Sequence, residues 1–177
     1  MTEIFGVPIQ ALMGQLMLGL VNGSFYAILS LGLAVIFGML NIVNFAHGAL
    51  YMVGAFFAWM LLNYAGINYW MALVIAPLGV ALIGVMIEKT MLRWLHQLDH
   101  LYGLLLTFGL ALILEGIFRE FYGSSGLPYE LPDVFRGVFD LGFMMLPKYR
   151  VWVIAVSIVL CFFTWFVIEK TKLGAYL

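Results

Sequence analysis

The chain has 177 residues, 65% of them apolar and 10% charged, with a formal net charge of −1 and a mean hydropathy of +1.09. An average soluble domain carries about 25% charged and about 45–50% apolar residues, so this is the composition of a membrane protein. The near-neutral balance excludes the basic footprint of a nucleic-acid-binding protein, and the lone cysteine, Cys161, excludes a disulfide framework and a cysteine metal site.

The opening MTEIFGVPIQ has no positive n-region and no small-residue cleavage site, so it is expected to be mature protein and not a signal peptide. From Ile4 to Ile87 there is no Asp, Glu, Lys or Arg, which leaves room for three or four crossings at about 20 residues each. Lipid cannot hydrogen-bond an open backbone, so the spans should be helices; the alternating segments of a barrel are missing. The predicted fold is all-α, a polytopic transmembrane helical bundle of five to six membrane segments forming one domain over residues 1–177. Within the charge-free stretch the predicted segments are Gln10–Ser30, Leu31–Leu40, Gly48–Leu62 and Tyr69–Ile87, with Asn63–Asn68 as a turn. Leu31–Leu40 is too short to cross alone. It either extends the first helix or is half of a broken or re-entrant helix near residues 31–48, whose other half begins after NIVNFAHG.

Charges punctuate the rest. Glu88–His100 reads as a short polar loop, Leu101–Phe118 and Val151–Ile168 as crossings, and residues 121–149 as an exposed, turn-rich loop with a short helix around Asp133–Phe139. Glu169–Lys172 closes the last span. One crossing separates each loop from the next, so Glu88–His100 and the C-terminal end share a side; the basic residues favour the cytoplasm for it, though they divide almost evenly among the loops.

Gly19, Gly23 and Ala27 form a small-residue row that lets a second helix approach closely, and helix packing is its expected role. Asn22, beside that row, is a candidate for a translocation pathway. In NIVNFAHG, the polar side chains Asn41, Asn44 and His47 sit within an apolar run, where each needs a partner or water. A turn at the membrane surface would supply water. A helix broken inside the membrane would instead need burial in protein or a watery cavity. Glu115 precedes Arg119 by four residues, the favourable order for an ion pair along a helix, here intramembrane or at the interface. His96 and His100 have a spacing able to hold zinc, yet a solvated loop face is the preferred reading, and His47 has no second ligand at suitable spacing. No metal is expected. Nor is there a phosphate-binding GxxxxGK[ST] loop, HExxH or GxSxG, so no catalytic residue is expected and any ATP must be hydrolysed by another chain.

The stretch GLVNGSFYAILSLGLAVIFGMLNIVNFAHGALYMVGAF at Gly19–Phe56 resembles the permease subunits of branched-chain amino acid ABC importers, the LivH-like family. LLTFGLALILEGIFRE at Leu104–Glu120 and the closing EKTKLGAYL resemble them as well. The resemblance implies a non-catalytic subunit that moves branched-chain amino acids or similar small solutes across the bacterial inner membrane. It also implies partners: a second related permease, two ATP-binding subunits that hydrolyse the ATP, a periplasmic substrate-binding protein and the lipid bilayer around them. The chain itself would bind no cofactor. Asn41, Asn44 and His47 fall on the family's broken-helix region, near the translocation path. Family members continue past the position of Leu177, so an N-terminal portion is expected. Alternatives of other classes are a secondary carrier or channel, for which only Glu115 is a candidate coupling group, and a non-transporting membrane anchor, which leaves the polar break without a purpose.

Overall fold

A computed structural model describes residues 3–4, 7–40, 44–95, 98–142 and 145–172, and these form the all-α architecture that the hydropathy demands. A two-residue antiparallel pair, β1 (Glu3–Ile4) and β2 (Val7–Pro8), precedes α1 (Ile9–Leu40), a helix of 32 residues. Leu31–Leu40 therefore continues the first helix, and the described residues Asn44 and Phe45 stand outside any helix. The next helix, α2 (Ala46–Ala65), ends on Gly66, whose φ of 64° suits a residue without a side chain; its N–H reaches Leu62 O at 3.2 Å. Asn68 caps α3 (Tyr69–Ile87) by accepting from Met71 N at 3.0 Å, so the turn is three residues long, Gly66–Asn68, and shorter than expected.

The segment read as a polar loop, Glu88–His100, is helical as far as Leu95. A π turn (Glu88–Leu92) leads into a last short piece, α4 (Arg93–Leu95). Glu, Lys, Met, Leu and Arg are all good helix formers, so charge ends the apolar span without ending the helix. Asp99 then caps α5 (His100–Tyr122), accepting from Leu101 N at 3.1 Å.

Beyond α5 the expected short helix is a single 3-10 turn, Asp133–Phe135, followed by a hairpin of β3 (Val138–Asp140) and β4 (Met145–Pro147) with Phe139 opposite Leu146. This region is not wholly exposed. Phe135 and Leu146 are buried, and Phe135 stacks on Trp152 of α6 (Lys148–Lys170) with ring centroids 5.2 Å apart.

Among the described residues, five helical stretches are long and apolar enough to cross a membrane: Ile9–Gly38, Ala46–Ala65, Tyr69–Leu95, His100–Tyr122 and Lys148–Lys170. The chain resolves into two compact units. In one, Met1–Leu31 with Leu131–Leu177, Val21 and Ser24 of α1 are buried, and Ser157 Oγ of α6 donates to Ser24 O at 2.9 Å. In the other, Gly32–Glu130, α2 packs on α3 and α5: the Phe57 ring occupies the space a side chain at Gly79 would fill, and Phe56 lies 4.7 Å from Phe118.

Candidate functional site

Where α2 begins, its first backbone amides have no carbonyl of a preceding turn to bond, a debt that water settles in solution and that lipid does not. Three side-chain and backbone groups settle it here. Asn44 Oδ1 accepts from Ala46 N at 2.9 Å, Asn44 O accepts from His47 N at 3.3 Å, and Thr107 Oγ1 of α5 accepts from Phe45 N at 3.2 Å. The Thr107 hydroxyl donates its own proton to Leu104 O at 3.1 Å, which leaves its lone pairs for Phe45. Thr107 is fully buried and Ala46 is nearly so. With these amides engaged internally, the start of α2 is not an open anion site.

His47 is half-buried, and its ring lies against α1. An ideal Cβ on Gly32 would meet His47 Cε1 at 2.7 Å and Nε2 at 2.9 Å, so glycine at that position makes the room the imidazole occupies. The Phe45 ring meets Phe108 edge-on at 6.2 Å. Phe45 and Thr107 together join the break to a helix 62 residues further along the chain.

Depth within the unit follows from its two ends. One end is aromatic: Trp59 contacts Tyr64 and Tyr122, Tyr69 contacts Trp70 and Tyr129, and Trp59 Nε1 donates to Pro128 O at 3.1 Å. Such belts mark a membrane–water interface. Burial, with the Tyr69 phenol adding to it, holds the Tyr129 hydroxyl above the ordinary tyrosine value and hence neutral. The other end carries Glu88, Lys89, Arg93 and Asp99. From Asn68 to Glu88 the α3 axis rises about 30 Å, the thickness of the hydrocarbon. Thr107 stands eight residues after Asp99 on α5, about 12 Å along the axis. Phe45, bonded to Thr107, stands twenty-one residues before Gly66 on α2, about 31 Å from the aromatic turn, and Phe57 packs on Gly79 of the antiparallel α3, so the break lies beside the charged end of α3 near Glu88 and Lys89.

The remaining sequence-predicted residues scatter. Asn41 lies outside the described residues, as does His96; among the described residues no group of three or more His, Cys, Asp or Glu is placed to hold a metal. Asn22 is exposed on α1. Gly19 and Gly23 have no atom within 4 Å of an ideal Cβ, so the small-residue row is open within this chain and Ala27 at its end is half-buried. Arg119 Nη2 donates to Glu115 Oε1 at 2.7 Å, both side chains more than half exposed. Sequence reasoning missed Thr107 and Gly32. Thr107 did carry a signal, being the one polar side chain between Leu104 and Leu114; Gly32 is one of 19 glycines and carried none.

The sequence matches the family described as branched-chain amino acid transport system / permease component over residues 15–177. Curated relatives include the high-affinity branched-chain amino acid transport system permease protein LivH of Salmonella typhimurium, 28% identical over 136 residues (72% of this chain and 44% of the relative). LivH of Escherichia coli is similar to the same extent, with the same coverage. The permease protein BraD of the corresponding Pseudomonas aeruginosa system is 25% identical over 171 residues, 90% of this chain and 56% of the relative. The chain therefore spans about half the length of the curated relatives it matches. No solved structure matches it.

Proposed function

Since this chain belongs to the branched-chain amino acid transport permease family, we propose that it forms part of the membrane conduit of an ATP-driven importer for branched-chain amino acids or similar small solutes. Its five apolar helices are those of a multi-pass membrane protein, and the bacterial inner membrane is the location this reading requires. The partners it requires are a second related permease, two ATP-binding subunits that hydrolyse the ATP, and a periplasmic protein that delivers the solute. The chain binds no cofactor and catalyses no reaction.

One observation carries the reading: the backbone leaves the helix at Asn44 and Phe45, and its amides are met by Asn44 and by Thr107 of another helix, with Thr107 and Ala46 buried in protein. Unwound backbone in a membrane protein is tolerated where protein or water surrounds it, and transporters build solute paths at such breaks. On this reading Asn41, Asn44 and His47 border the path, and Asn22 of α1 is a further pathway residue. Because the Phe45 amide is bonded to α5, a shift of α5 along its axis would move the break with it, a direct mechanical link between helix movement and path shape.

The test is uptake of labelled leucine into proteoliposomes holding the complete importer and its binding protein. Uptake should require ATP and survive a proton uncoupler at constant ATP. His47→Ala should lower it several-fold while the subunits still co-purify. Uptake that collapses with the uncoupler would make the protein a secondary carrier, and unchanged uptake by His47→Ala would remove that residue from the path.

A further inference from the structure

Helix α1 presents two opposite faces within its own unit. Val21 and Ser24 are buried, with Ser24 O taken by Ser157 Oγ of α6. At about 100° per residue, Gly19, Asn22, Gly23, Tyr26 and Ser30 share an arc centred directly opposite that packed face. All five are exposed, Tyr26 to 71%. Three of them carry hydrogen-bonding side chains on a helix that has no charged residue at all.

Depth shows what this face cannot meet. Arg150 and Glu169 bracket the apolar part of α6, about 28 Å apart along its axis, the length of one hydrocarbon crossing. Ser157 lies seven residues inside Arg150, about 10 Å from that rim. Ser24 is bonded to it, and Asn22 and Tyr26 flank Ser24 by two residues each. An amide and a phenol at that depth are strongly disfavoured against acyl chains, so lipid does not cover them. Close packing of a second helix on the glycines is disfavoured too, because the Tyr26 ring stands on the same arc, within one turn of Gly23.

We propose that this face of α1 lines a water-filled route, and that Asn22, Tyr26 and Ser30 hydrogen-bond the carboxylate and ammonium groups of a zwitterionic amino acid in passage; the solute rests on the importer reading above. The Asn22 amide both donates and accepts, as does the Tyr26 hydroxyl, whereas Ser30 Oγ donates to Ala27 O at 3.2 Å and keeps its lone pairs for an ammonium, so the file serves either charged group. None of the three is itself charged, which makes each contact weak and the stay short. Gly19 and Gly23 hold the route open beside them.

Cysteine accessibility tests this in membranes containing the complete importer, with Cys161→Ala as the parent because Cys161 is the one native cysteine. Asn22→Cys, Tyr26→Cys and Ser30→Cys are compared with Ile158→Cys and Phe162→Cys on α6, which are 64% and 62% exposed apolar positions. A charged, membrane-impermeant methanethiosulfonate reagent should modify the three α1 cysteines about tenfold faster than the α6 pair, since a thiol in hydrocarbon stays protonated and unreactive. Saturating leucine should slow that modification several-fold. Rates equal to those of the α6 cysteines, no protection by leucine, failure of all three variants to assemble, or an oxidative Gly19→Cys disulfide between copies would each overturn the inference. Leucine uptake by the parent separates the two claims. Without ATP-dependent uptake the importer reading fails and takes this solute with it, whereas a transporting parent with unreactive cysteines sinks this inference alone.

Discussion

At Asn44 and Phe45 the chain stands outside any helix, and the amides at the start of α2 are met by Asn44 and by Thr107 of another helix; between Glu88 and Leu92 the helix continues through a wider turn whose amides stay with its own carbonyls, as Arg93 N does with Glu88 O. The two interruptions belong to one unit and differ in burial. The first is closed by a threonine of another helix, and the second forms the charged end of its own helix. A threonine serves each. Thr107 Oγ1 accepts a foreign amide while donating to Leu104 O, and it is fully buried; Thr90 Oγ1 donates to Met86 O at 2.6 Å and is exposed. The difference teaches that a helix interruption buried in protein is a tertiary construction, whereas an exposed one is a local adjustment within its own helix.

The comparison is broken most directly at Thr107. Thr107→Val keeps the shape and leaves the Phe45 amide without its acceptor, a loss of about 1–3 kcal/mol for a buried group that should be larger where no water can enter. Unfolding in mixed detergent micelles should show the midpoint lowered accordingly, and Thr107→Ser, which keeps the hydroxyl, should recover most of it. A valine variant as stable as the parent would mean that the Phe45 bond does not hold the break.

Asn44→Ala should come next. It removes the oxygen that caps Ala46 N, worth about 1 kcal/mol for a helix N-terminus. Asn44→Ser, whose hydroxyl can cap in the same way, should fall between alanine and the parent in the same unfolding measurement. Equal loss in the serine and alanine variants would show that something other than capping is lost.

The break was legible because NIVNFAHG puts amides and an imidazole into a stretch without charge, and the structure leaves Asn44 and Phe45 of that stretch outside any helix. What closes the break was not. Thr107 lies 62 residues from Phe45, and no local periodicity reports which distant hydroxyl will meet an amide. Gly32 was hidden for the opposite reason: glycine is so common here that one more says nothing until an imidazole is found in its place. The stretch from Glu88 to Leu95 was misread because charge marks where lipid ends, and helix propensity, which is high for those residues, decides where the helix ends. Each strand of the 138–147 hairpin is three residues long, too short for alternation to stand out.

The smallest effect sharpens the comparison from the other side. Thr90→Val removes a hydroxyl whose proton goes to a carbonyl four residues back, on an exposed turn at the charged end. Met86 O keeps access to water at that rim, and valine and threonine have similar helix propensities. The expected change is within about 0.5 kcal/mol, as for other surface sites, measured in the same micelles as Thr107→Val. The two valine substitutions remove the same atom from the same residue type, so only burial and the foreign amide separate them. A loss at Thr90→Val as large as at Thr107→Val would show that the hydroxyl's own intrahelical bond, and not the amide that Thr107 accepts, carries the stability.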